Sequence, residues 1–149
     1  MIHARRQMMR LALLGLAAPA VARAQQHPPI DELHGTLTKR SFQMLETSVV
    51  RHLDKVLALR VSAAPSSPDS GFFCGVENGL FLAYLAPRPR TQVSATGGFA
   101  EKDGMVEING VFRATNAGMN QGILAYALEP VPEAERPPQG TEFRRVELS

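Results

Sequence analysis

The chain has 149 residues, with 16 bases, 14 acids and a single cysteine, a length that predicts one domain. Four arginines precede residue 25 and no acid does, so the remainder carries 12 bases against 14 acids. This balance excludes the electrostatic footprint of a nucleic-acid binder, which needs a basic face to release counterions. One thiol cannot close an internal bridge, so the fold must rest on a packed core.

The first segment is read as an address rather than as structure. Arg5, Arg6 and Arg10 precede the apolar run Leu11 to Val21, roughly half the twenty residues a membrane-spanning helix needs. Ala22-Arg23-Ala24 then supplies a small-x-small cleavage pattern. An export signal is predicted over residues 1–24, cut near Ala24, with Ala20-Val21-Ala22 as an alternative cut. Arg5-Arg6-Gln7-Met8-Met9-Arg10 resembles the twin-arginine motif, with Met8-Met9 where that motif favours Phe-Leu. The resemblance implies a bacterial protein delivered folded to the periplasm, with no stable membrane anchor after cleavage.

Residues 25–30 read as a flexible lead. Phe42, Leu45, Val49, Leu53 and Val56 then recur at spacings of three and four, which predicts a helix within 31–54 with Ser41 as its N-cap. The competing reading of residues 41–54 is a strand, because Thr47, Val49 and Val50 are β-branched. After Lys55 the period shortens to two: Leu57, Leu59 and Val61 alternate with Ala58, Arg60 and Ser62, as in a half-buried strand.

Residues 64–71 form a loop by composition. Phe72 to Glu77 and Leu80 to Ala86 flank Asn78-Gly79, the preferred pair for a two-residue hairpin turn. Gln92 to Ala100 is extended, with Gly97-Gly98 weakening or bulging the strand. Asp103-Gly104 marks a second hairpin into Met105 to Ile108, and Asn109-Gly110 a further turn or bulge before Val111 to Ala114. Thr115 to Gly122 is expected to be a polar loop, Ile123 to Leu128 a last strand, and 131–149 a partly disordered, Pro-rich tail, the alternative being that Phe143, Val146 and Leu148 dock as an edge strand. The expected fold is mainly β: a small antiparallel barrel or sandwich, OB-like, with five to six strands and one N-terminal helix, spanning residues 31–130.

The chemistry-bearing residues form no catalytic pattern. His27, His34 and His52 lack metal spacing to one another, which leaves only a trio of His34, His52 and Asp31 assembled through the fold. No serine elbow of the Gly-x-Ser-x-Gly type occurs. Cys74, with His52 as base, would be a nucleophile only if exposed, whereas Phe72-Phe73-Cys74-Gly75 reads as a buried thiol. The carboxylates Asp31-Glu32, Glu101 with Asp103, and Glu133 with Glu135 show no sign of separated acid and base roles. Asn116, Asn120 and Gln121 could hydrogen-bond a ligand, although a plain turn explains them. Phe81 and Phe112 stand out as rings that a small barrel could turn outward, although ordinary core packing explains them better. No catalytic, cofactor-binding or metal-ligating residue is therefore assigned, and no cofactor.

Two functions fit. One is an exported non-enzymatic domain that binds another protein, as a small accessory subunit of a periplasmic cofactor-bearing enzyme. The alternative is a periplasmic small-ligand or envelope-stress module, with its ligand held in a barrel mouth near residues 66–70 or 116–122.

Overall fold

A computed structural model describes residues 28–86 and 90–149, apart from the side chain of Asn120. The expected export signal, the lead up to His27 and Pro87 to Pro89 lie outside the described residues. The chain divides into two units. Of the first, the described residues are 28–29 and 137–142. The second, Ile30–Arg136 with Phe143–Ser149, carries the sheet and its helix.

In strand β1 (Ile30–Leu37), Leu33 and Leu37 are buried and the residues between them are not. Helix α1 (Lys39–Arg51) comes at once after it. Thr38 is its N-cap and Ser41 sits at N3: Thr38 Oγ1 accepts from the Ser41 amide (3.2 Å), and Ser41 Oγ accepts from the Thr38 amide (2.7 Å). This reciprocal box satisfies two of the donors that a helix start leaves unpaired. Ser41, expected as the cap, is thus its partner. Phe42, Leu45 and Val49 are fully buried on one stripe of α1. Each such side chain contributes roughly 1.5–3 kcal/mol on burial. The helical reading of residues 41–54 prevails over the strand reading as far as Arg51.

The chain returns as β2 (Val56–Ala63), parallel to β1 with Leu33 beside Leu59 and Leu37 beside Ala63. A parallel neighbour requires a crossover, which α1 provides. The remaining strands are β3 (Phe73–Glu77), β4 (Leu80–Tyr84), β5 (Thr91–Ala95), β6 (Phe99–Lys102), β7 (Met105–Asn120), β8 (Ile123–Pro130) and β9 (Phe143–Glu147). The sheet runs β3-β4-β5-β8-β7-β2-β1-β9, with β6 on the first part of β7.

Both Gly-centred hairpins form. Asn78 and Gly79 (φ 50° and 77°) join β3 to β4, and Asp103 and Gly104 (φ 52° and 76°) join β6 to β7, the positive-φ pairs of a type I′ turn. The inner face carries Leu57, Leu59 and Val61, then Val106, Ile108, Phe112, Leu128, Val93, Ala95, Phe81 and Cys74, all buried in one cluster with α1. A helix about 10 Å across shields only two or three strands set about 4.8 Å apart. The far end of the sheet still reaches the helix, because Phe72, just before β3, meets Phe42 at a ring distance of 5.9 Å. Phe112 fits because its ring lies over Gly98, where a Cβ would stand 2.6 Å from Phe112 Cζ.

Mainly β with one helix holds among the described residues; the finer expectations do not. There are nine strands rather than five to six. The sheet is mixed rather than antiparallel, since β1–β2, β1–β9 and β5–β8 are parallel. It is also open: β3 and β9 are its ends, so no OB-like barrel closes. Asn109-Gly110 is neither turn nor bulge, because β7 passes through it in continuous register opposite Arg60 and Leu59. Thr115 to Asn120 is the second half of β7, bulged between Asn116 and Gly118 and paired with β8. Partial disorder does not hold where the C-terminal segment forms β9, which pairs with β1, and the Leu148 amide donates to the His34 carbonyl at 2.8 Å.

Candidate binding surface

The residues of α1 beside the buried stripe recur at helical spacing: Gln43, Glu46, Thr47 and Val50. They share one flank of the helix. Across a cleft of about 490 Å³ lie Leu85, Arg90 and Thr91, with Phe42 also lining it. Thr91, at the start of β5, is buried, and its hydroxyl donates to Glu46 Oε1 at 3.1 Å. The cleft thus holds one acid engaged by the protein and one exposed guanidinium, Arg90.

Strand register extends this surface. Thr91 is paired with Leu124 of β8, and Leu124 with Met119 of β7. Directly paired residues project to the same face, so the three side chains form a row beyond the helix. Met119 is 69% exposed, Val50 43% and Leu124 41%. They are three of the four exposed large apolar side chains among the described residues, the fourth being Phe143. Met119 and Leu124, as cross-strand partners, form a patch, and contiguous exposed carbon on a folded domain marks an interaction surface more often than scattered residues do.

A second cleft of about 460 Å³ lies where β7 meets the end of β8, with Gly98, Asn109, Phe112, Pro130 and Arg136 on its walls. Nearby, Arg113 pairs with Glu135 at 3.6 Å. On the outer face at the β3 end, Phe73 and Tyr84 stack at 5.0 Å, beside half-buried Leu80 and Leu82.

The residues singled out by the sequence are dispersed. Cys74 is fully buried, and desolvation pushes its thiol from the ordinary 9.0 up to about 12, which disarms it as a nucleophile. His52, its proposed base, caps the end of α1: Nδ1 donates to the Ser48 carbonyl (2.7 Å) and Nε2 lies 3.3 Å from Asp31. Asp31 also takes Arg144 of β9 at 2.6 Å. His34 instead pairs with Glu32, which also lies 3.6 Å from Arg60. Residues 31 and 34 of a strand project to opposite faces, so His34, His52 and Asp31 do not converge. Glu101 and Asp103 are exposed at the β6–β7 hairpin, and Glu133 and Glu135 are exposed on one short turn.

Asn116 Oδ1 accepts from the Gly118 amide at 2.8 Å, within the β7 bulge, and Gln121 with Gly122 makes the β7–β8 turn. Phe81 and Phe112 are fully buried; Phe73, Tyr84 and Phe99 are half-buried, and Phe143 is exposed. Met119 and Leu124 were missed because Met119 sat inside an expected polar loop. The signal that could have found them is Gln121-Gly122 read as a two-residue turn, which places residues 119 and 124 opposite one another. Comparison of the chain with protein-family models, curated proteins and solved structures returned no match.

Proposed function

We propose that this chain is an exported, non-enzymatic domain that binds another protein, and that it serves as a small accessory subunit of a periplasmic cofactor-bearing enzyme. The observation that carries the binding reading is the paired, exposed Met119 and Leu124, in register with Thr91, whose hydroxyl meets Glu46 of α1. Such a patch costs solubility unless something covers it, and flexible methionine suits a contact surface. The basic, apolar and small-residue sequence of Met1 to Ala24 supports export. Its twin-arginine-like element supports travel in a folded state, which suits a chain that leaves together with a larger folded partner.

The dispersal of Cys74, His52 and His34 supports a binding role over a hydrolytic one. The small-ligand alternative now finds its support in the cleft beside α1 rather than in a barrel mouth. Its volume lies within the roughly 300–1,000 Å³ usual for ligand sites, and Arg90 and Glu46 give it polar anchors.

The test is co-purification of the full tagged chain from the periplasm, beside a Met119→Lys/Leu124→Lys variant whose substitutions lie on exposed positions. A partner of defined mass that the variant loses supports the reading. A chain that carries no partner, or one the variant retains in full, refutes it.

A further inference from the structure

The sequence holds Asn-Gly twice, at Asn78-Gly79 and Asn109-Gly110, and the fold places the two pairs in opposite main-chain settings. All four residues are exposed, so access to water does not distinguish them. We propose that Asn78 is a site of spontaneous deamidation in the folded protein and that Asn109 is protected.

The reaction needs the amide nitrogen of the following residue to reach the asparagine Cγ. The Gly79 nitrogen gives up its proton to solvent and bonds to Asn78 Cγ. The bond from Cγ to Nδ2 breaks as Nδ2 takes up a proton from solvent, and ammonia leaves, giving a five-membered imide. Water then opens the ring at one carbonyl or the other, and the product is aspartate or isoaspartate. No oxidant or reductant enters.

At the β3–β4 tip this path is open. Glu77 and Leu80 are the register pair that closes the turn, so the turn's hydrogen bonds are theirs and the Gly79 amide is not engaged by the ladder. Nothing lies within 4 Å of a Cβ built on Gly79, so the turn has room to deform. Hairpin tips also open at small free energy.

At Asn109 the path is shut. Its own amide donates to the Gly98 carbonyl at 2.9 Å. Successive amides of a strand alternate in direction, so the Gly110 amide points the other way, towards β2 and its register partner Leu59. The nucleophile is therefore held in the ladder on one side while residue 109 is held on the other. Reaction there requires β7 to leave β2 or β6. Conversion at Asn78 has a structural consequence, since isoaspartate adds an atom to the main chain inside a turn only two residues long.

The test incubates the full chain in warm neutral buffer, folded and in strong denaturant, and tracks the one-mass-unit gain at each site by peptide mass spectrometry. The expected result is conversion of Asn78 at least roughly tenfold faster than Asn109 in the folded chain, with the two rates within roughly threefold of each other in denaturant. Equal rates in the folded chain, faster conversion at Asn109, or no conversion of Asn78 overturns the proposal.

Discussion

Gly98 shows how one missing carbon sets the core. With φ at 64°, it occupies backbone space that other residues enter at a cost, and the Phe112 ring fills the volume a side chain would need. Gly98→Ala combines a left-handed strain with a clash of 2.6 Å against a ring that is itself fully buried. The expected loss is about 2–4 kcal/mol, read as a lower urea midpoint at unchanged slope. Cys74 bears on pH instead. Below pH 9 its thiol is protonated in folded and unfolded chains alike and adds no pH dependence. Between 9.0 and about 12 the folded chain keeps a proton that the unfolded chain has lost, so stability falls as pH rises through that window. Cys74→Ala removes this contribution, and the alkaline limb of its stability profile, measured by chemical denaturation, is expected to be shallower than that of the parent.

At the scale of elements, β9 is the strand whose contribution is most open to measurement. It covers β1 with Phe143 to Glu147 in parallel register, and Arg144 reaches Asp31, which also faces His52 at the end of α1. Strand, strand and helix are thus tied through one carboxylate. Hydrogen exchange should show the Leu148 amide, bonded to the His34 carbonyl, protected to a degree that a frayed terminus never reaches. Asp31→Ala should release that protection before it affects β7.

How far these elements could be read from the chain depends on pattern strength. The alternation of Leu57, Leu59 and Val61 and the Asn78-Gly79 and Asp103-Gly104 turns stated their structure directly. In β1 the buried pair Leu33 and Leu37 stands four apart, a spacing that a strand and a helix satisfy equally, and the polar residues between them hid the alternation. In the second half of β7, Asn116 and Gly118 belong to a bulge that consumes a residue, which breaks the period of two. β9 is five residues rich in charge, and its partner β1 lies more than a hundred positions earlier; no local signal encodes such a pairing. The patch at Met119 and Leu124 was hidden for the same reason as the strand that carries it.

For the whole molecule, the open sheet matters more than any single group. Among the described residues, nine strands and one thirteen-residue helix leave part of the inner face beyond the reach of the helix, and the paired Leu124 and Met119 stay exposed there. A closed barrel would have buried these residues or turned them out singly. The most direct test of a partner on this patch is site-specific photo-crosslinking of the exported full chain in intact cells. The photoreactive residue is placed at position 119, with a comparator at Glu107, exposed on the outer side of β7. One adduct of defined mass is expected from position 119 and none of that mass from 107. The same adduct from both positions, or none from 119 while the chain is exported and folded, would contradict a partner-binding role for the patch.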